Sequence, residues 1–110
     1  MTTIAVNDKY VAVLSSLGNL QEAIDLALQR YTIEQITAKL ASLRHQDQQY
    51  QAKYGTDYAT FSQRMAEDEA FVQQVEETIS KVWEIDLADW EFCYKGIEDW
   101  THTLQTILLT

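Results

Sequence analysis

Three tryptophans, Trp83, Trp90 and Trp100, fall in an 18-residue window that also holds Phe92 and Tyr94. Around them stand Glu84, Asp86, Asp89, Glu91, Glu98 and Asp99. Aromatic anchors framed by carboxylates are suited to covering a basic protein surface: the rings fill apolar pockets and the carboxylates meet Arg and Lys. The same rings would serve equally in core or dimer packing, because aromatic side chains bury large areas wherever they lie. Seven-residue spacing sets Trp83 beside Trp90 and Glu84 beside Glu91 on a helix, giving two neighbouring stripes. Trp83, Glu84, Asp86, Trp90, Glu91 and Trp100 are therefore the candidate partner-binding residues.

No other residue set points to chemistry. His45 and His102 lie 57 positions apart, Cys93 is the one cysteine, and no glycine-rich phosphate loop, paired-cysteine motif or nucleophile motif occurs. Glu67-Asp68-Glu69 and Glu76-Glu77 lack the alternating oxygen ligands and turn glycine of a calcium loop. The expectation is a binding protein without catalytic residues, metal, cofactor or small-molecule substrate. The N-terminal sequence MTTIAVNDKY has neither a basic start nor a long apolar run, and no apolar stretch is long enough to span a bilayer. A soluble, cytoplasmic protein is expected.

The elements that must carry these residues are helical. The 110 residues include no proline and three glycines, a composition that favours helices because proline is what a helix interior tolerates least. Thr2 to Val6 reads as a short strand with Thr3, Ala5 and Asn7 on one face and Ile4 and Val6 on the other. A short helix through Tyr10, Val13, Leu14 and Leu17 follows, stopped by Gly18, with Asn19 as cap for the next helix. Leu20 to Tyr31 places Leu20, Ala23, Ile24, Ala27, Leu28 and Tyr31 on one face. Thr32 and Gln35 have capping-box spacing, which predicts a new helix to about Tyr54. Its seam of Ile36, Leu40, Leu43, Tyr50 and Tyr54 is interrupted by Asp47. Gly55 ends it, Asp57 caps a short helix with Phe61 and Met65, and a final helix is expected from about Glu69 to Leu109. In that helix Gly96 is a weak point.

Charge divides the chain. Residues 1–45 balance four basic against four acidic residues, whereas residues 46–110 carry four basic and thirteen acidic residues and so supply the whole net charge of −9. The expected organisation is a strand-helix-helix dimerisation head over residues 1–32 and an acidic helical partner-binding region over 33–110. A seam and a long final helix expose more apolar stripe than a chain this short can bury alone, which predicts a homodimeric, mainly α bundle.

Two segments carry a family resemblance. KYGTDYATFSQRM (Lys53 to Met65) resembles the lysine-tyrosine-glycine element and capped helix of small helical antitoxins from bacterial and archaeal toxin–antitoxin modules. WEIDLADWEF (Trp83 to Phe92) resembles their later acidic-aromatic element, with Glu84, Asp86, Trp90 and Glu91 at the matching spacing. The resemblance covers roughly residues 35–105 and implies that the acidic region wraps a basic toxin. The N-terminal order of strand, short helix, Gly18-Asn19 and QEAIDLALQRY also resembles a ribbon-helix-helix head, in which paired strands read the major groove. That likeness implies DNA contacts from Thr3, Ala5 and Asn7, although this strand has no Arg or Lys to hold phosphates. The reading from the residues alone leaves a second function class open, a homodimeric helical adaptor with no toxin partner.

Overall fold

The computed structural model describes residues 3–109, and among these there are five helices and no strand. They are α1 (Asp8–Ser16), α2 (Leu20–Tyr54), α3 (Tyr58–Glu67), α4 (Glu69–Thr78) and α5 (Trp83–Leu109). The chain divides into two compact units after Gln35. The first holds α1 and the start of α2; the second holds the rest of α2 with α3, α4 and α5.

Helix starts follow side-chain chemistry. Asn7, Asn19, Asp57 and Asp68 each accept a backbone N–H of the first turn, from Lys9, Glu22, Thr60 and Phe71, at 2.7–3.1 Å. These bonds satisfy amides that a helix N-terminus leaves without partners. Gly55 ends α2 with φ +74°, a left-handed conformation that side chains with a Cβ resist.

Three expectations change. The strand does not form: Thr2 lies outside the described residues, and residues 3–7 are non-helical and unpaired in any ladder. A lone strand has no neighbour to receive its backbone groups, and Asn7 instead uses its side chain to start α1. The predicted break at Thr32 is also absent, since Thr32 lies inside α2. Leu20 to Tyr54 contains neither glycine nor proline, so nothing interrupts the hydrogen-bond ladder and the capping-box spacing has no terminus to cap. Conversely, the predicted final helix is two helices, broken between Thr78 and Trp83. Thr78 and Ile79 are β-branched, the Thr78 hydroxyl bonds back to the Gln74 carbonyl at 2.6 Å, and the Ser80 hydroxyl accepts the Val82 N–H at 3.1 Å. This break lets α4 return Phe71 and Val75 to the core.

In the second unit α2 and α5 run antiparallel. Pairs step in opposite senses along them: Lys53 with Asp86, Asp47 with Trp90, Leu43 with Cys93, and Lys39 with Trp100. Ile36, Leu40, Leu43 and Cys93 are buried along this contact, and Gly96 admits Leu43: a Cβ there would sit 3.0 Å from Leu43 Cδ1. The glycine thus serves close helix approach, and α5 passes through it as one helix. Around Trp90 gather Tyr54, Phe61, Met65, Phe71 and Val75. The Ile36–Tyr54 seam is therefore largely buried within the chain, so one of the two apolar stripes from which the sequence predicted a homodimer is already covered.

Trp90 has no exposed surface and touches rings from both α2 and α3. Trp90→Ala is expected to lower unfolding free energy by about 3–5 kcal/mol, as large-to-small changes at buried aromatics do. Urea denaturation followed by circular dichroism measures this; a loss under about 1 kcal/mol would refute the central place given to Trp90.

Candidate partner-binding surface

Helix α5 carries all six residues singled out for partner binding, and its packing sorts them. Trp90 faces inward. Its ring stacks on Tyr50 and Tyr54 with centroids 5.6 and 6.0 Å away, tilts against Phe61 at 5.4 Å and meets Tyr58 edge-on at 5.7 Å. Its indole N–H donates to Asp47 Oδ1 at 2.8 Å. Asp86 is also committed to the fold: Oδ2 accepts from Lys53 Nζ at 2.6 Å and from the Tyr54 hydroxyl at 2.5 Å. Burial works to raise the Asp86 carboxyl, but the bonds from Lys53 and Tyr54 and the Lys53 charge outweigh it and hold the group below its ordinary value. The Tyr54 hydroxyl moves the other way, pushed up by burial and by its bond to Asp86.

Trp83 and Trp100 are half-buried. The Trp83 indole donates to Glu76 Oε1 at 3.0 Å, and Lys39 Nζ lies 5.2 Å from the Trp100 ring centroid. Glu84 is exposed, while Glu91 is half-exposed and pairs with Lys95 at 2.8 Å. That bond raises the Lys95 pKa.

The outward face of α5 is built from residues the tryptophan stripe overshadows. Phe92 is 76% exposed and Ile85 61% exposed. Once Trp90 points inward, Phe92, two residues later, is turned by about 200° and must point to solvent; Ile85, five residues earlier, lies on the same side. Helical geometry then sets Glu84 and Glu91 along one flank of this apolar ridge, Asp89 on the other and Asp99 in line beyond Phe92. Lys95 is the one cation among them. Val82, 54% exposed, extends the ridge toward the α4–α5 turn. The signal in the sequence was the seven-residue spacing of Ile85 and Phe92, which lies alongside the more conspicuous tryptophans.

No group of three or more His, Cys, Asp or Glu among the described residues is placed to hold a metal ion. The Cys93 thiol is buried, donates to the Leu43 carbonyl at 2.8 Å, and is pushed up in pKa by burial. No described helix is long and apolar enough to cross a membrane. In the first unit, Thr3 and Ala5 are exposed, and the Asn7 side chain is occupied as a helix cap. No protein family matches the chain, and no curated protein or solved structure is significantly similar to it.

Because the folded Asp86 carboxyl titrates below its unfolded value, its stabilising effect is full above the unfolded pKa near 3.8 and fades as pH falls through the lower folded value. Asp86→Ala is expected to destabilise the protein by about 1–3 kcal/mol at pH 7, with the gap to wild type narrowing as pH falls below 3.8. Urea midpoints at a series of pH values check this. A gap that persists unchanged in acid would mean the carboxylate charge contributes nothing.

Proposed function

We propose that the protein is an antitoxin, binding a basic toxin protein and blocking its active surface, in a toxin–antitoxin pair. The observation that carries this reading is the outward face of α5, a ridge of Ile85 and Phe92 flanked by Glu84, Asp89, Glu91 and Asp99. An exposed phenylalanine set among carboxylates has no use within the fold: it touches none of the core rings, and its burial would be gained on binding. A partner that presents an apolar pocket rimmed by Arg and Lys satisfies both features. The resemblance of Lys53 to Met65 and of Trp83 to Phe92 to small helical antitoxins supports the same reading.

The division of labour on α5 gives the mechanism. Trp90 and Asp86 hold the helix against α2 and α3, so the outer face meets its partner already ordered and loses little conformational entropy on binding. The carboxylates steer a cationic partner by long-range attraction, strengthened by the net charge of −9. Phe92 and Ile85 then enter the apolar pocket, with Trp83 and Trp100 extending the contact at its margins. The net negative charge disfavours RNA or DNA on this face, since phosphates would be repelled.

Glu84→Lys combined with Glu91→Lys tests the assignment. The exchange removes one exposed pair with Lys95, so it is expected to change stability by no more than about 0.5–1 kcal/mol. Phe92→Ala should be similarly mild in the isolated protein. Each variant is co-expressed with the protein encoded beside this one, and growth rescue and co-purification are measured. Both variants should lose rescue and weaken binding by about 30-fold or more, the effect of losing an interface anchor. Should the charge-reversed variant protect and bind as wild type does, the acidic face is solvated surface and the proposal fails.

A further inference from the structure

The first unit presents a second surface of different chemistry. Helix α1 and the first turns of α2 form a hairpin, and none of its described residues is buried. Along one side runs a groove of about 610 Å³ lined by Val6, Tyr10, Val13, Leu14, Ile24, Ala27 and Leu28, every one of them apolar or aromatic. The other side of the hairpin differs, for Asn19, Glu22 and Arg30 interrupt its lining.

We propose that this groove is where two copies of the chain associate, hairpin against hairpin, through helices rather than paired strands. The proposal does not rest on the antitoxin reading. Val6, Tyr10, Val13 and Leu28 of this lining, with Ile4 and Tyr31 a few residues beyond it in sequence, are between 39% and 74% exposed. At roughly 150–200 Å² per fully exposed side chain, they leave on the order of 600 Å² of apolar surface, most of the about 800 Å² per partner in a standard interface. Exposed apolar area on this scale marks an interaction site on a protein surface. The groove carries no charge that would select a different protein by complementarity, in contrast to the α5 face. The hairpin carries a net charge of −2, with Lys9 and Arg30 against Asp8, Glu22, Asp25 and Glu34, small beside the −9 of the whole chain, so two of them approach with modest repulsion. A second copy is also the one partner present wherever the protein is. Isologous pairing sets the same groove on both sides of a two-fold axis and yields a four-helix arrangement with a shared apolar interior.

Sedimentation velocity and light scattering of the full chain, from sub-micromolar to tens of micromolar, test this. Wild type should sediment at twice the mass of one chain at the upper concentrations. Val13→Glu with Leu28→Glu should raise the dissociation constant by about 100-fold or more, whereas Leu17→Glu with Leu26→Glu, on the opposite side, should change it by less than about threefold. Hydrogen exchange on wild type keeps the test decisive if the groove variant loses helicity: amide protection across residues 8–16 should rise with protein concentration. A wild-type monomer at every concentration, equal sensitivity to the two variant pairs, or concentration-independent exchange in α1 would each overturn the proposal. Neutralisation of a neighbouring gene product is not read in any of these measurements, so the two proposals fail separately.

Discussion

The fold depends on one requirement: the indole of Trp90 must be buried, and its N–H must still find an acceptor. An unpaired buried donor costs about 1–3 kcal/mol, so the ring can be central only if a partner reaches it. Asp47 supplies that partner from the middle of α2. Satisfying the bond fixes how α5 lies along α2, because Asp47 and Trp90 must face each other. Leu43 then falls opposite Cys93 and Gly96, and Lys53 opposite Asp86. With this register set, Tyr50, Tyr54, Tyr58 and Phe61 surround the indole, and α4 closes the remaining side with Phe71 and Val75. No buried side-chain nitrogen or oxygen among the described residues is left without a partner.

Asp47 also shows where sequence pattern succeeds and where it stops. The Ile36–Tyr54 seam reads correctly as one apolar face, and Asp47 stands out as its interruption. Periodicity treats such a carboxylate as a defect, because the pattern holds no record of an indole arriving from 43 residues away. Local signals were legible where the physics is local: Asn19 and Asp57 cap helices, and Gly18 and Gly55 stop them. The α4–α5 break was not legible. Thr78, Ile79 and Ser80 weaken a helix only modestly, and the turn forms because folding back buries Phe71 and Val75, a gain that no local window contains. The opposite failure at Thr32 has the same origin, since capping spacing acts only where a helix already ends.

The candidate site was half legible for a related reason. Composition located the acidic-aromatic segment, and spacing grouped its residues into stripes. Deciding which stripe faces outward required knowing which aromatic ring the core takes. Tryptophan is the larger ring and carries a donor, and Asp47 offers an acceptor inside the fold; phenylalanine has no polar atom and nothing to gain from that acceptor. The core therefore selects Trp90, and the geometry of a helix leaves Phe92 outside. Had the roles been reversed, Asp47 would face a ring with no hydrogen to donate, and the carboxylate would lie part-buried without a partner.

This assignment separates what stabilises α5 from what is available to a partner. Asp86 cannot be reversed in charge without abandoning Lys53 and Tyr54, so its negative charge is tied to folding. Among the described residues, Glu84 and Asp99 form no side-chain hydrogen bond or ion pair with another helix, Asp89 acts on Tyr50 only through its charge, and Glu91 pairs along its own helix, with Lys95. Their identity is unconstrained by packing, yet all four are acidic and they surround the one exposed phenylalanine. On a chain whose charges served only solvation, cations and anions could alternate along such a face and gain from i,i+4 pairing. A face that forgoes most of that gain and keeps one sign repels itself in isolation, and the arrangement becomes favourable when an opposite charge covers it. The first unit has the converse chemistry, an apolar groove with no charge in its lining, and the self-association proposed for it would relieve that exposure without steering. Two surfaces of such different character on one short chain do not compete for the same partner: one is selected by shape and exclusion of water, the other by charge.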